Sequence, residues 1–353
     1  MEAFAKAYCD FINNGKTERE CVAYGEKLAK AHGFEDLNAA VRSGKKLEAG
    51  ARVYANWMGK SFMLFVLGEK PLEEGMNILG AHIDSPRIDV KQNPLYEDTD
   101  LAYLDTHYYG GIKKYQWVAI PLALHGVIVR KTGEKVIINI GEDENDPVFC
   151  ISDLLVHLAQ EQMTKNAKEV VEGEALNLIV GGRPLEGEEK DAVKANVLKL
   201  LADKYGVEEE DFLSAELEIV PAGKARDMGF DRSMILAYGH DDRVCAYPSM
   251  MAVLDYEGTP EYTLCCIVTD KEEIGSVGAT GMASHYLENT VAELYACTAD
   301  YCELAVRRCL RNSRMLSSDV SAGYDPNFAS AFEKKNSAFL GRGICFNKFT
   351  GSR

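Results

Sequence analysis

Short apolar runs that end in histidine or acid constrain this chain more than any other feature. Asn77-Ile78-Leu79-Gly80-Ala81 leads into His82-Ile83-Asp84-Ser85-Pro86. Met234-Ile235-Leu236-Ala237-Tyr238 leads into Gly239-His240-Asp241-Asp242-Arg243. The run over 262–269 leads into Asp270-Lys271-Glu272-Glu273. Ser317-Ser318-Asp319 repeats the chemistry without a clear run before it. An apolar run of this length fits a strand buried on both faces. Such strands alternate with helical stretches over 3–13, 17–32, 243–254 and 279–288, which predicts an open α/β sheet. Open α/β sheets bind ligands just beyond the carboxyl ends of their strands, so the four clusters are expected to face one crevice.

Local signals fill in the rest. Thr17 with Glu20 forms a capping box, and Cys21, Tyr24, Leu28 and Ala31 then share a helix face, with Gly33 placed to end it. Residues 52–58 and 61–67 read as a hairpin around Gly59-Lys60. From about Tyr96 the texture changes. Residues 117–129 and 135–140 are β-branched and apolar, with Lys131-Thr132-Gly133-Glu134 as the turn between them. Residues 150–162 read as a helix, and 183–211 as a polar loop with one helix over 191–205. The length of 353 residues exceeds what one core usually serves. The expected fold class is α/β, an open mixed sheet flanked by helices, with an inserted β-rich domain. Residues 1–92 and 234–353 would form the discontinuous α/β domain, and 93–233 the insert.

The net charge of −16 argues against nucleic acid or an anionic membrane as partner, since both need clustered Lys and Arg. No apolar run approaches the roughly 20 residues that span a bilayer. Met1-Glu2-Ala3-Phe4-Ala5-Lys6 lacks the pattern of a signal peptide. The ten cysteines show no C-x-x-C spacing and predict reduced, buried thiols in a cytoplasmic protein.

The clusters have the chemistry of a two-metal centre. Imidazole and carboxylate suit zinc and its first-row neighbours. His-x-Asp offers a ligand and an acid that fixes the imidazole tautomer. Glu-Glu offers a base and a ligand side by side, and Asp-Asp can offer a bridge between ions about 3.5–4 Å apart. Read alone, each piece is more often structural; together, after apolar runs, they point to hydrolysis. His240 reads as structural, and His107 and His125 as ordinary polar or interface residues. Gly275, Gly278 and Gly281 do not form the dinucleotide fingerprint.

Ala81-His82-Ile83-Asp84-Ser85-Pro86-Arg87 resembles the first metal motif of the aspartyl aminopeptidase and aminopeptidase I family. Asp241-Asp242-Arg243, Asp270-Lys271-Glu272-Glu273-Ile274-Gly275-Ser276 and Ser318-Asp319-Val320 follow in the family's order. The segment 209–229 and the tail from Gly341-Arg342-Gly343 to Lys348-Phe349-Thr350-Gly351 extend the resemblance, closer to the aminopeptidase I branch. It implies a metal-dependent aminopeptidase with two divalent ions, zinc first, cobalt or manganese as alternatives. His82 and Asp319 would bind one ion, Glu273 the other, and Asp241 both. Glu272 would be the general base for a metal-bridged hydroxide, and Asp84 would orient His82. Peptides with a free N-terminus would be the substrates. The insert would pair subunits into dimers that assemble as a dodecamer, with His157 matching a histidine that reaches a neighbour's active site.

Two departures accompany the resemblance. Family members carry a final metal-binding histidine near the C-terminus, whereas the last histidine here is His285. The chain therefore reads as truncated, and a catalytically inactive assembly subunit is the alternative function. Ala322 stands where the aspartyl-specific members have a substrate-contacting histidine, which favours a neutral N-terminal residue.

Overall fold

The computed structural model describes residues 2–348; residues 349–351 of the tail motif lie outside them. Helices α1 (Glu2–Asn14) and α2 (Glu18–Ala31) come first. The Thr17 hydroxyl accepts from the Glu20 N–H, and the Glu20 carboxylate accepts from the Thr17 N–H, so the capping box is complete. The buried stripe of α2 is Glu18, Cys21, Val22, Gly25 and Ala29. It is rotated from the expected face: Tyr24 and Leu28 are half-buried and Ala31 is exposed. Close packing at Gly25, where a Cβ would stand 3.4 Å from the Phe62 ring, sets that rotation.

Next come β1 (Glu35–Asp36), α3 (Leu37–Ser43), β2 (Arg52–Trp57), β3 (Ser61–Val66) and β4 (Met76–His82). Strands β5 (Arg87–Asp98), β6 (Leu101–Tyr109), β7 (Leu122–Val129), β8 (Lys135–Ile140) and β9 (Leu178–Gly181) follow, then α4 (Ala192–Tyr205) and β10 (Glu216–Pro221). The chain continues through β11 (Arg226–Met228), β12 (Met234–Leu236), α5 (His240–Leu254), β13 (Thr263–Thr269), α6 (Tyr286–Thr298), α7 (Glu303–Asn312) and β14 (Arg314–Ser317).

The first sheet has the order β1-β2-β3-β13-β4-β14. It is mixed: β13 runs antiparallel to β3, and both β13 and β14 run parallel to β4. The second, antiparallel sheet has the order β8-β7-β10-β5-β6-β9. Both sheets are open and carry helices, which is the α/β class expected.

Strand β3, buried at every position, explains the layering. Side chains alternate across a strand. Phe62, Leu64 and Val66 join Phe11, Val22, Ala246 and Met250 in a core under α1, α2 and α5. Met63, Phe65 and Leu67 join Leu37, Ala40, Val291, Leu294 and Val306 in a core under α3, α6 and α7. A third core lies between the second sheet and α4.

Some local expectations fail. Residues 150–162 hold only three-ten turns, Val156–Leu158 and Gln162–Thr164. Phe149 and Cys150 bridge to Leu122 and Ile179, which draws the backbone out straight. Leu154, Leu155, Val156 and Leu158 are exposed, so a helix here would have no core to cover. Helix α6 starts at Tyr286 rather than 279. Gly278 has φ +82, and a Cβ on Gly281 would meet the Ser276 carbonyl oxygen at 2.2 Å, so this stretch turns tightly instead of coiling. Strand β12 pairs only with β11, apart from the first sheet. Conversely, β14 precedes Asp319 as a strand the sequence did not announce, because all four of its residues are exposed. All ten cysteines are free; Cys21, Cys265, Cys266, Cys297 and Cys309 are buried, whereas Cys302 and Cys345 are exposed.

Candidate metal centre

Three neighbouring parallel strands end together. Thr269 lies opposite His82 in the β13–β4 ladder, and Ser317 lies opposite Gly80 in the β14–β4 ladder. His82 therefore ends the middle strand, with the 270–273 loop on one side and Asp319 on the other. Asp241 arrives from the start of α5, where it and Asp242 depart from helical geometry and share a cis peptide. Two contacts fix that segment against β4. Ser85 Oγ donates to the Asp241 carbonyl at 2.6 Å, and the buried Arg243 donates through Nε to the Ile83 carbonyl at 3.1 Å.

His82 is the hub. Its Nδ1 lies 3.0 Å from the Asp84 carbonyl and 3.3 Å from Asp84 Oδ1. An Nδ1–H donated to that carbonyl leaves Nε2 as the ligand atom. Nε2 lies 3.1 Å from Asp241 Oδ1, 3.7 Å from Glu272 Oε2 and 4.0 Å from Asp319 Oδ1. Asp84 is fully buried and accepts from the Glu272 and Glu273 N–H groups at 3.1 and 3.2 Å. The six residues expected at the site are thus one contiguous group.

The electrostatics are those of crowded acids. Burial would lower the His82 pKa, but hydrogen bonds to Asp241 and Asp84 outweigh it and push the imidazole up to about 11. Burial raises Glu273 to about 7, with the Asp241 charge adding to it. Burial raises Glu272 as well, and Asp319 adds repulsion. Burial raises Asp84 too, but His82 and Tyr109 hold it below the ordinary carboxylate range. Asp242 is buried with both carboxylate oxygens unpartnered, and burial pushes it up to about 7.

These residues fit divalent zinc, which takes imidazole nitrogen and carboxylate oxygen. Ligand atoms of His82, Asp241 and Glu273 lie within 4.8 Å of one another, as do those of His82, Glu272 and Asp319, and those of Asp241, Asp242 and Asp319. A cation among them would relieve the repulsion that Asp241 adds to burial at Glu273 and would give the unpartnered Asp242 carboxylate a counter-charge.

Other histidines stand apart. His157 is exposed in a three-ten turn and outside these groups. His240 has both ring nitrogens engaged, with Tyr8 at 2.7 Å and the Ile235 carbonyl at 3.0 Å, and is structural. Ser85, Arg243 and Tyr109 support the site but carry no metal-ligand signature in the sequence. Tyr109, whose hydroxyl donates to Asp84 at 2.6 Å, comes from the second sheet. Only the glycine pair that follows it, Gly110-Gly111, hints at a close approach.

Comparison with known proteins gives the family and the fold. Residues 11–353 match the family model described as aminopeptidase I zinc metalloprotease (M18). A probable M18 family aminopeptidase 1 from Clostridium acetobutylicum is 58% identical over 352 residues, spanning 99% of this chain and 76% of the relative. The crystal structure of an M18-family aminopeptidase from Thermotoga maritima superposes with a TM-score of 0.90 at 42% identity, over 97% of this chain and 74% of that one. The Saccharomyces cerevisiae mApe1 dodecamer shares the fold at a TM-score of 0.75 and 21% identity, over 96% and 76% of the two chains. The chain belongs to the aminopeptidase I zinc metalloprotease (M18) family and is a metal-dependent aminopeptidase.

Proposed function

We propose that the crevice beyond β4 holds two divalent ions and releases the N-terminal residue of peptides with a free α-amine. His82 and Asp319 would hold one ion, Glu273 the other, and Asp241 both. Zinc is the first choice, with cobalt or manganese able to use the same donors. Bound there, the ions supply Lewis acidity and a water of lowered pKa. Glu272 would be the general base, taking a proton from the attacking water and returning it to the leaving amine. Its side chain is 47% exposed, so it can meet both water and substrate. Asp84 orients the imidazole of His82 on one side and the backbone of Glu272 and Glu273 on the other. The remaining negative charge receives the substrate's α-ammonium, which confines cleavage to the chain end. Ala322 leaves no imidazole beside the substrate, and a neutral N-terminal residue is the proposed preference.

Residues 93–233 are proposed as a separate insert that pairs subunits, with 1–92 and 234–353 as the catalytic domain. Dimers would assemble further, to a dodecamer, and His157 would reach a neighbour's crevice. The exposed run Leu154, Leu155, Val156 and Leu158 around His157 supports this, since contiguous apolar surface marks an interaction site. The cytoplasm is the proposed compartment; among the described residues no helix is long and apolar enough to cross a membrane.

The observation that carries the reading is the meeting of Asp241, Glu272 and Asp319 at Nε2 of His82. The test is a panel of peptides with free and acetylated N-termini. Only the free ones should be cleaved, and Glu272→Gln should lower kcat about 10²–10⁴-fold while retaining zinc. Cleavage of acetylated peptides, or an unimpaired Glu272→Gln enzyme, would overturn it.

A further inference from the structure

We infer that Tyr109 is a positioning residue of the metal centre, acting from the second sheet through Asp84. The inference rests on the metallopeptidase reading above. Tyr109 closes β6 and lies opposite Arg87 in the β5–β6 ladder. Its hydroxyl donates to Asp84 Oδ2 at 2.6 Å. Asp84 also receives the Glu272 N–H on Oδ1 and the Glu273 N–H on Oδ2, with His82 Nδ1 3.3 Å from Oδ1. A carboxylate has about four acceptor positions. Three hydrogen bonds take three of them and the His82 ring lies against the carboxylate as well, and Tyr109 is the one partner that belongs to neither the proposed ligands nor the base.

The ring itself is held in place. The Arg87 guanidinium lies 3.9 Å from its centroid and Lys271 Nζ lies 5.2 Å from it. Arg87 is anchored in turn by Glu18, Asp89 and Glu218. Gly110, at φ +75, lets the end of β6 lie against the ligand loop: a Cβ there would stand 3.2 Å from Glu273 Cβ and 3.4 Å from Pro86 Cα. The phenol is therefore delivered by a rigid element to a carboxylate that holds a ligand and the base loop at once. Without the hydroxyl, Asp84 keeps only the His82 ring and the two N–H groups of the loop it is meant to fix. Its plane is then free to turn, and the His82 ring and the Glu272 and Glu273 backbone turn with it.

Tyr109→Phe tests this, because it keeps the ring and its two cation contacts. In competition with a zinc chelator the variant should bind zinc about 10–100-fold more weakly. Its kcat should fall while KM stays within about twofold, since the lost contact acts on the centre and not on substrate binding. In the metal-free protein, amide exchange should speed at Glu272 and Glu273 and nowhere else. Tyr103→Phe, on the same strand and stacked on Tyr96, should match wild type in all three. Wild-type zinc affinity and exchange rates in Tyr109→Phe would overturn the inference and leave the metallopeptidase reading standing. Exchange that speeds uniformly along β5 and β6 would also overturn it, since the hydroxyl would then serve the fold. A wild-type protein that takes up no zinc would overturn the metallopeptidase reading, and this inference with it.

Discussion

Two groups of acids lie close together in this protein and are neutralised in different ways. In one, Glu18, Glu216 and Glu218 bring oxygens within 4.8 Å of one another where α2 meets the second sheet. Lys60 lies 2.8 Å from Glu18 and pairs with Glu216, and Arg87 lies 3.3 Å from both Glu18 and Glu218. In the other, the acids around His82 are as crowded. Yet among the described residues no lysine or arginine pairs with Asp241, Glu272, Glu273 or Asp319. Burial raises Glu216, but Lys60 and Arg19 reverse this and hold it below the ordinary range. Glu273 has no such partner and is pushed up to about 7 by burial and Asp241. Crowded oxygens alone thus do not mark a metal site. What separates the two groups is whether lysine and arginine neutralise the acids; around His82 the nearest counter-charge among the described residues is the imidazole itself.

The largest expected effect tests the self-neutralised group. Lys60 is buried, and Lys60→Met would strand Glu18 without its nearest cation. Removing one partner of a buried pair costs about 3–5 kcal/mol, which denaturant melts of the metal-free protein would read. A variant as stable as wild type would mean that the network is not holding the sheets together. Next, zinc at a hundred times its dissociation constant should stabilise the wild-type protein by about 2.7 kcal/mol. His82→Ala should lose that gain, measured as the melting shift on adding zinc.

A smaller effect depends on pH. His125 is buried between Glu20, at 2.8 Å, and Glu142, at 3.2 Å. Burial lowers its pKa, but the two carboxylates outweigh this and raise it overall. A raised histidine gives its full stabilisation below the unfolded pKa of about 6.5 and loses it as pH rises through the folded value. His125→Ala should therefore cost about 2 kcal/mol in the acidic range, falling at higher pH. A deficit that grew with pH would contradict the assignment. Smallest of all, Asp241→Asn should leave the stability of the metal-free protein within about 0.5 kcal/mol of wild type. Equilibrium unfolding would check this, because the weakened contact to His82 is offset by relief of the repulsion that Asp241 adds at Glu273.

Much of this contrast could be read along the chain, and the reasons for the gaps are physical. His82 closes β4, and Glu272 and Glu273 follow β13, two largely buried strands that read as apolar runs, so the ends of the runs marked the candidate site. Asp319 follows β14, whose four residues are exposed, so no apolar signal preceded it. Asp241 sits at the start of α5 after β12, which pairs outside the first sheet; its motif was legible although its strand setting was not. The expected helix over 150–162 failed because Leu154, Leu155, Val156 and Leu158 meet no core among the described residues. Tyr109 and the Lys60 network were illegible because each joins residues far apart in sequence. Asp84 and Tyr109, for example, meet only when β6 docks beside β4. Charged pairs of that kind leave no periodicity, and only the fold reveals them.

The acids around His82, and not those around Lys60, form the metal centre in this proposal. It is tested most directly by zinc bound per chain after chelator stripping and reconstitution, for wild type, Asp241→Asn and Glu216→Gln. Zinc should be retained by wild type and by Glu216→Gln and lost by Asp241→Asn. Zinc that survives Asp241→Asn and disappears with Glu216→Gln would contradict the account.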